Sequence, residues 1–164
     1  MTAFRLSLPL ILLLFCATAV ASETTLHQLR PDLITAGQPS AQQLRDAAAA
    51  GVTTVIDLRR PEEDRGYDEA ALAAQLGLRY VRLPIAGAGD ITQANARTLD
   101  RLLKQDDGKT LLHCASANRA GALLALIDVR INGAPLDAAL AHGRVAGMTS
   151  LEPAVRAALE APTP

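Results

Sequence analysis

The chain has 164 residues with 16 basic and 17 acidic side chains, a net charge of −1 and no basic run. That balance gives no support to nucleic acid or an anionic membrane surface as electrostatically recruited partners. Hydrophobic residues make up 49% of the sequence; the N-terminus raises this share, and alanine and leucine carry the rest, which suffices for one domain with a real core.

The N-terminus reads as a targeting segment. Met1 to Arg5 carries one positive charge, Leu6 to Val20 is almost wholly apolar, and Ala19-Val20-Ala21 has the small-x-small pattern of a signal-peptidase site. These features predict a signal peptide over 1–21, removed after Ala21. The apolar run is shorter than the roughly 20 residues a membrane span needs. Phe15 stands where a lipobox has a small residue, which argues against a lipid-modified Cys16. The expectation is a periplasmic or secreted protein with no stable membrane anchor after cleavage, one domain over 22–160 and a disordered tail over 161–164. Cys114 is then the remaining thiol, so no internal disulfide staples the fold. A lone thiol is either a buried core residue or a used one.

Thr35-Ala36-Gly37-Gln38-Pro39 reads as a strand end and turn. Ser40 and Gln43 have the spacing of a capping box, which opens a helix running through Leu44 and Ala47 to a stop at Gly51. Val52 to Leu58 is a strand apolar enough to be buried on both faces. Arg59 to Asp64 is a charged loop, Tyr67 to Leu76 a second helix, and Leu78 to Leu83 a strand ended by Pro84. After the glycine-rich loop Ala86 to Asp90, Thr92 caps a helix to about Lys104, which Asp106-Asp107-Gly108 breaks. Lys109 to His113 is a strand, and Arg119 to Ile131 is so apolar that it predicts a central buried helix. Shorter helices follow over Leu136 to His142 and Leu151 to Glu160. Strands alternating with helices predict a single α/β domain with a mostly parallel central sheet flanked by helices. Ligands of such sheets bind at the carboxyl ends of the strands, which is where Cys114, Arg59 and, a few residues further on, Asp90 fall.

Cys114 sits in His113-Cys114-Ala115-Ser116-Ala117-Asn118-Arg119, between a strand and a helix start. A thiolate is the nucleophilic form, and a helix N-terminus or nearby cation favours it. Backbone amides from Ala115 to Arg119 would cradle an anion, the helix adding its positive end. Arg119 has the planar fork to bind two oxygens at once. His113 would face away from the substrate and fix the loop by hydrogen bonding. The three histidines (His27, His113 and His142) lack metal-ligand spacing along the chain, and the motif calls for no metal and no cofactor.

The loop resembles those of the cysteine-dependent protein tyrosine and dual-specificity phosphatases, which open His-Cys and close with Arg. It is more similar still to the bacterial beta-lactamase-hydrolase-like, or DUF442, group. The landmarks of that group are Thr35-Ala36-Gly37-Gln38-Pro39-Ser40, Val55-Ile56-Asp57-Leu58-Arg59 and the cysteine loop, in that order. The resemblance covers about Leu26 to Ile131. It implies a protein-tyrosine-phosphatase-like fold of the dual-specificity type. It also implies attack by Cys114 on phosphorus, phosphoryl oxygens held by Arg119, and hydrolysis of the phosphocysteine. The substrate would be a phosphorylated protein or a small phosphate ester. Asp90 is the candidate general acid; its alternative role is to cap the helix beginning near Thr92. Arg59 either lines the pocket or makes a surface ion pair with Glu62 or Glu63. Gln38 either reaches the site through its amide or serves the turn.

Three positions depart from the phosphatase pattern. Four residues, not five, separate Cys114 from Arg119. Ala120 replaces a hydroxyl residue that helps the thiolate leave, so Ser116 would have to supply it. Ala117 stands where the bacterial group has glycine, and a positive φ there would strain the loop by about 1 kcal/mol or more. The shorter loop keeps a rhodanese-like sulfurtransferase open as a reading, and Ala117 and Ala120 keep open a non-catalytic phosphate- or anion-binding module.

Overall fold

The structure, a computed structural model, describes residues 24–105 and 108–161. The predicted signal peptide with Cys16, the Asp106-Asp107 pair and residues 162–164 lie outside the described residues. Among the described residues five strands form one sheet: β1 (Leu26–Arg30), β2 (Leu33–Ala36), β3 (Val52–Asp57), β4 (Arg79–Arg82) and β5 (Lys109–His113). Their order is β1-β2-β5-β3-β4. The pairs β2–β5, β5–β3 and β3–β4 are parallel, and only the β1–β2 hairpin is antiparallel. The sheet is therefore mostly parallel, as expected, with an antiparallel edge strand that the sequence pattern had not marked.

The helices begin where the side chains dictate. In α1 (Ala41–Ala49) the Ser40 hydroxyl accepts from the Gln43 amide and the Gln43 side chain accepts from the Ser40 amide, a complete capping box. Asp68 caps α2 (Glu69–Gln75), and Thr92 caps α3 (Gln93–Lys104). Then come α4 (Asn118–Arg130), α5 (Leu136–Val145) and α6 (Glu152–Glu160). None of these helices is long and apolar enough to cross a membrane.

Side-chain alternation along the strands makes two cores. Ile56, Leu58, Leu112 and Cys114 face one side and pack with Leu123, Leu126, Leu99 and Leu140 of α4, α3 and α5. Val55, Leu111, Ile34 and Ala36 face the other and pack with Leu44 of α1 and Leu72 and Ala73 of α2. Helix α4 is buried from Arg119 to Ile127 because α3, α5 and α6 all lie against it.

β5 lies between two parallel neighbours, and the strand ends are level. Ala36 is in register with His113, His113 with Asp57, and Asp57 with Arg82. The chain leaves the sheet at the same height in four places, which brings the segments after Ala36, Asp57, Arg82 and His113 together at one edge.

Candidate active site

The cysteine loop is pinned on three sides. The Cys114 amide donates to Ala36 O at 3.3 Å, the Gln38 amide donates to Ala115 O at 3.1 Å, and Gly37 and Ser116 form an isolated antiparallel bridge. A Cβ on Gly37 would meet Ala115 O at 2.9 Å, so the Gly-Gln-Pro landmark is a backbone clasp on the cysteine loop. The Leu58 amide donates to His113 O at 2.9 Å from the other flank. On the third side Asn118 Oδ1 accepts from the amides of Thr149 and Ser150 at 2.8 and 3.2 Å.

Ala117 has φ 64° and ψ −11° and is the sole non-glycine residue with positive φ among those described. The strain anticipated for alanine at this position is thus present. Its methyl is buried against Gly147, itself at φ +101°.

Cys114 is fully buried, and it lies in the α4-side core because alternation along β5 turns it there. Alternation turns His113 to the opposite face. Its Nε2 lies 3.1 Å from Glu69 Oε1 and 3.8 Å from Asp57 Oδ1. Neither ring nitrogen makes a well-directed hydrogen bond, so these are contacts of charge and dipole. The expected orientation of His113, away from the nucleophile, agrees with this placement, but the expected side-chain hydrogen bonding to the loop is not formed, because alternation points the ring at the carboxylates of Asp57 and Glu69.

Around His113 the structure builds a buried polar network that the sequence did not reveal. Asp57 Oδ2 accepts from Arg65 Nε at 2.8 Å and Tyr80 Oη at 2.6 Å, and Asp57 Oδ1 accepts from the Arg59 amide at 2.7 Å. Burial pushes the Asp57 carboxyl pKa up, but His113, the Tyr80 hydroxyl, the Arg59 amide and Arg65 outweigh it, leaving the pKa below the usual range. Burial together with the Asp57 hydrogen bond pushes Tyr80 up to about 12. Glu69 Oε2 accepts from Gln38 Nε2 at 3.0 Å.

Asp57, Glu69 and His113 are also the one group among the described residues whose ligand-type atoms cluster within 4.8 Å. Chain spacing did not suggest it, because three separate elements supply the members. The donor set fits a cation poorly, since Arg65 and Tyr80 already fill Asp57 Oδ2 and the Arg65 guanidinium lies beside the carboxylates.

Arg119 closes the loop and is 9% exposed. Its Nη1 donates to Glu63 Oε1 at 2.8 Å and Ile85 O at 2.7 Å, and its Nη2 donates to Glu63 Oε2 at 2.8 Å. The Glu63 bonds, with the adjacent Cys114 sulfur, raise the Arg119 pKa in spite of burial. Reciprocally, Arg119 holds the Glu63 carboxyl down at about 2.

Arg59 is buried as well, which corrects the surface-ion-pair reading. Its Nε donates to Glu63 at 3.3 Å, Nη1 to Gln38 Oε1 at 2.6 Å, and Nη2 to Asp64 O. The partner Glu63 was foreseen; its burial was not, because the cover comes from the loop folding back over the strand end. Gln38 consequently bridges Arg59 and Glu69 and works through its side chain as well as its turn.

Asp90 ends a short 3-10 turn, Ala88–Asp90, and its carboxylate accepts from the Ala86 amide at 2.7 Å. The α3 cap is Thr92 instead. Asp90 therefore holds its own loop, half-buried, on the segment that follows β4. Ala120 is buried without a hydroxyl, while Ser116 is exposed and lines a cleft of about 590 Å³ with Gln38, Ala115, Ala117, His27 and Arg144. His142, read as an ordinary helix-end histidine, pairs with Asp128 at 2.5 Å.

No family model matches the chain. A beta-lactamase hydrolase-like protein of Xylella fastidiosa is 33% identical over 101 residues, which is 59% of this chain and 23% of that protein. The chain thus spans about a quarter of the length of the curated relatives it matches. Among solved structures, a DUF442 protein of Shewanella putrefaciens CN-32 with a provisional phosphatase name superposes with a TM-score of 0.69 at 25% identity. That match covers 84% of this chain and 90% of the other. TpbA of P. aeruginosa, solved in complex with phosphotyrosine, gives a TM-score of 0.66 at 21% identity over 87% of this chain and 91% of its own, a likeness of fold. The chain is a homologue of the beta-lactamase hydrolase-like proteins, and its single α/β domain has the fold of the DUF442 and protein-tyrosine-phosphatase-like structures.

Proposed function

We propose that the chain is an exported, cysteine-dependent hydrolase of phosphate monoesters, of the protein tyrosine or dual-specificity type, which works through a phosphocysteine. One observation carries the reading. Cys114 and Arg119 meet across a single turn between the end of the central strand and the start of α4. In that arrangement Cys114 Sγ attacks phosphorus, the P–O ester bond breaks, and the leaving oxygen takes a proton from Asp90. Water then cleaves the P–S bond, giving inorganic phosphate and the free thiol. Arg119 and the α4 N-terminus stabilise the phosphoryl oxygens. The thiol is fully covered, so substrate entry requires a flanking loop to open. Removal of 1–21 would place this activity in the periplasm or outside the cell.

The test compares the purified protein with Cys114→Ser on an aryl phosphate, with and without vanadate, and on thiosulfate with cyanide. Phosphate release that needs Cys114 and stops with vanadate is expected. Thiocyanate formation without phosphate release would replace the reading with sulfur transfer. Phosphate binding with turnover of neither substrate would leave an anion-binding module.

A further inference from the structure

We propose that the cleft beside the cysteine loop is the subsite for the body of the substrate, and that it takes a small polyhydroxylated phosphate ester with a second anionic group, of the sugar bisphosphate kind, in preference to a phosphotyrosine side chain. The inference rests on the phosphatase reading and deepens it by naming the substrate class.

The cleft meets the loop at Ala115, Ser116 and Ala117, the three residues that follow the nucleophile. Its other walls come from the start of the β1–β2 hairpin and from the end of α5 with the segment after it. Asp90 stands on the segment after β4, at the sheet edge opposite β1. With the proton donor on that flank, the body of the ester is left the β1–β2 flank, where the cleft lies. Its volume of about 590 Å³ falls within the range of about 300–1,000 Å³ that small-ligand sites occupy.

The lining decides the chemistry. Small-molecule sites are mostly apolar and aromatic, yet Thr24, Ser116 and Thr149 bring hydroxyl side chains to this one. Among the described residues that line it there is no carboxylate and no Tyr, Phe or Trp. The one ring at its wall is the hydrogen-bonding imidazole of His27. Tyr67 and Tyr80 lie elsewhere, with their hydroxyls committed to Pro39 O and Asp57. A tyrosyl ring entering the cleft would lose water and gain no aromatic face, whereas a polyol exchanges its water for hydroxyl partners.

Arg144 supplies the charge. It shares Glu152 with Arg156, so the three side chains carry a net positive charge that one carboxylate does not cancel. The Arg144 side chain is 54% exposed, and a surface pair of this kind holds its cation weakly enough for an incoming anion to share it.

The experiment measures kcat/KM on fructose 1,6-bisphosphate, fructose 6-phosphate and a phosphotyrosine peptide for the parent, Arg144→Gln and Arg144→Lys, with circular dichroism to confirm folding. The two sugars share a scaffold and differ by one phosphate, so their ratio isolates the second anionic group. The parent should prefer the bisphosphate over the monophosphate about 10-fold, the scale of one hydrogen-bonded charge contact, and over the peptide by more. Arg144→Gln should cut the sugar ratio to within about threefold, and Arg144→Lys, which keeps a point charge, should restore part of it. Added salt should lower the parent's ratio, because the guanidinium is open to solvent.

No preference between the sugars in the parent, a ratio that survives Arg144→Gln, or a peptide turned over faster than the bisphosphate would overturn the proposal. If no ester releases phosphate in a Cys114-dependent way, the phosphatase reading fails on its own. Calorimetry of fructose 1,6-bisphosphate on the Cys114→Ser protein, with and without Arg144→Gln, then decides the subsite. Loss of Arg144 should weaken that binding about 10-fold; equal affinity, or no binding to either protein, would overturn it.

Discussion

Gly147→Ala tests whether the cysteine loop is held by a close backbone approach. Gly147 has φ +101°, and a Cβ built there would lie closer than 3.0 Å to the Ala117 Cβ and 3.4 Å from His27 Nε2. The backbone strain contributes about 1–2 kcal/mol, and forcing a methyl into a packed contact adds about 1–3 kcal/mol. The expected loss is about 2–5 kcal/mol. Ala117→Gly alone should be nearly neutral: it relieves about 1 kcal/mol of left-handed strain and forfeits about 0.8 kcal/mol from one buried methyl. Combined, the two changes remove the overlap but keep the φ strain at 147, so the double variant should recover about 1–3 kcal/mol relative to additivity. Urea denaturation of the four proteins by circular dichroism measures the cycle. Additivity within about 0.5 kcal/mol would refute the packing argument.

Asp90→Asn should slow an aryl phosphate with a poor leaving group by about 10²-fold or more and one with a good leaving group far less, as loss of a general acid does; equal rates would remove Asp90 from the mechanism. Acid should destabilise the fold through Glu63, whose carboxyl falls from 4.5 to about 2 on folding. The contribution is complete above pH 4.5 and is lost as the pH falls toward 2. The shift corresponds to about 3 kcal/mol, reduced to about 1–2 kcal/mol by solvent screening at a partly open side chain. Glu63→Gln should flatten that part of the stability–pH curve, and an unchanged slope would refute the assignment.

The elements were legible because each is encoded locally. Ser40 with Gln43, Thr92, and the apolar stretch after Arg119 announce their helices through side chains within one turn, and all three helices form as read. The Cys114 loop and the Gly37-Gln38 clasp were legible as motifs, and Ala117 announced its positive φ by standing where glycine was expected. The partners of Arg119 and His113 were not legible. Glu63 is 56 positions from Arg119, and Glu69 reaches His113 from a helix on the opposite face of the sheet from α4. No periodicity or spacing links residues so far apart.

Sequence alone therefore determined an α/β alternation, the place of the candidate nucleophile at a strand end, and the loop residue under strain, since these depend on neighbours along the chain. Tertiary structure decided which charges are buried. Arg59 looked like a surface residue beside acidic neighbours, yet the level ends of β2, β5 and β3 draw it under its own loop with Glu63 and Gln38. Burial removes water as the competing partner, so each charge there must find its counter-charge within the protein. Only the folded sheet, by setting four strand ends at one height, brings those counter-charges within reach.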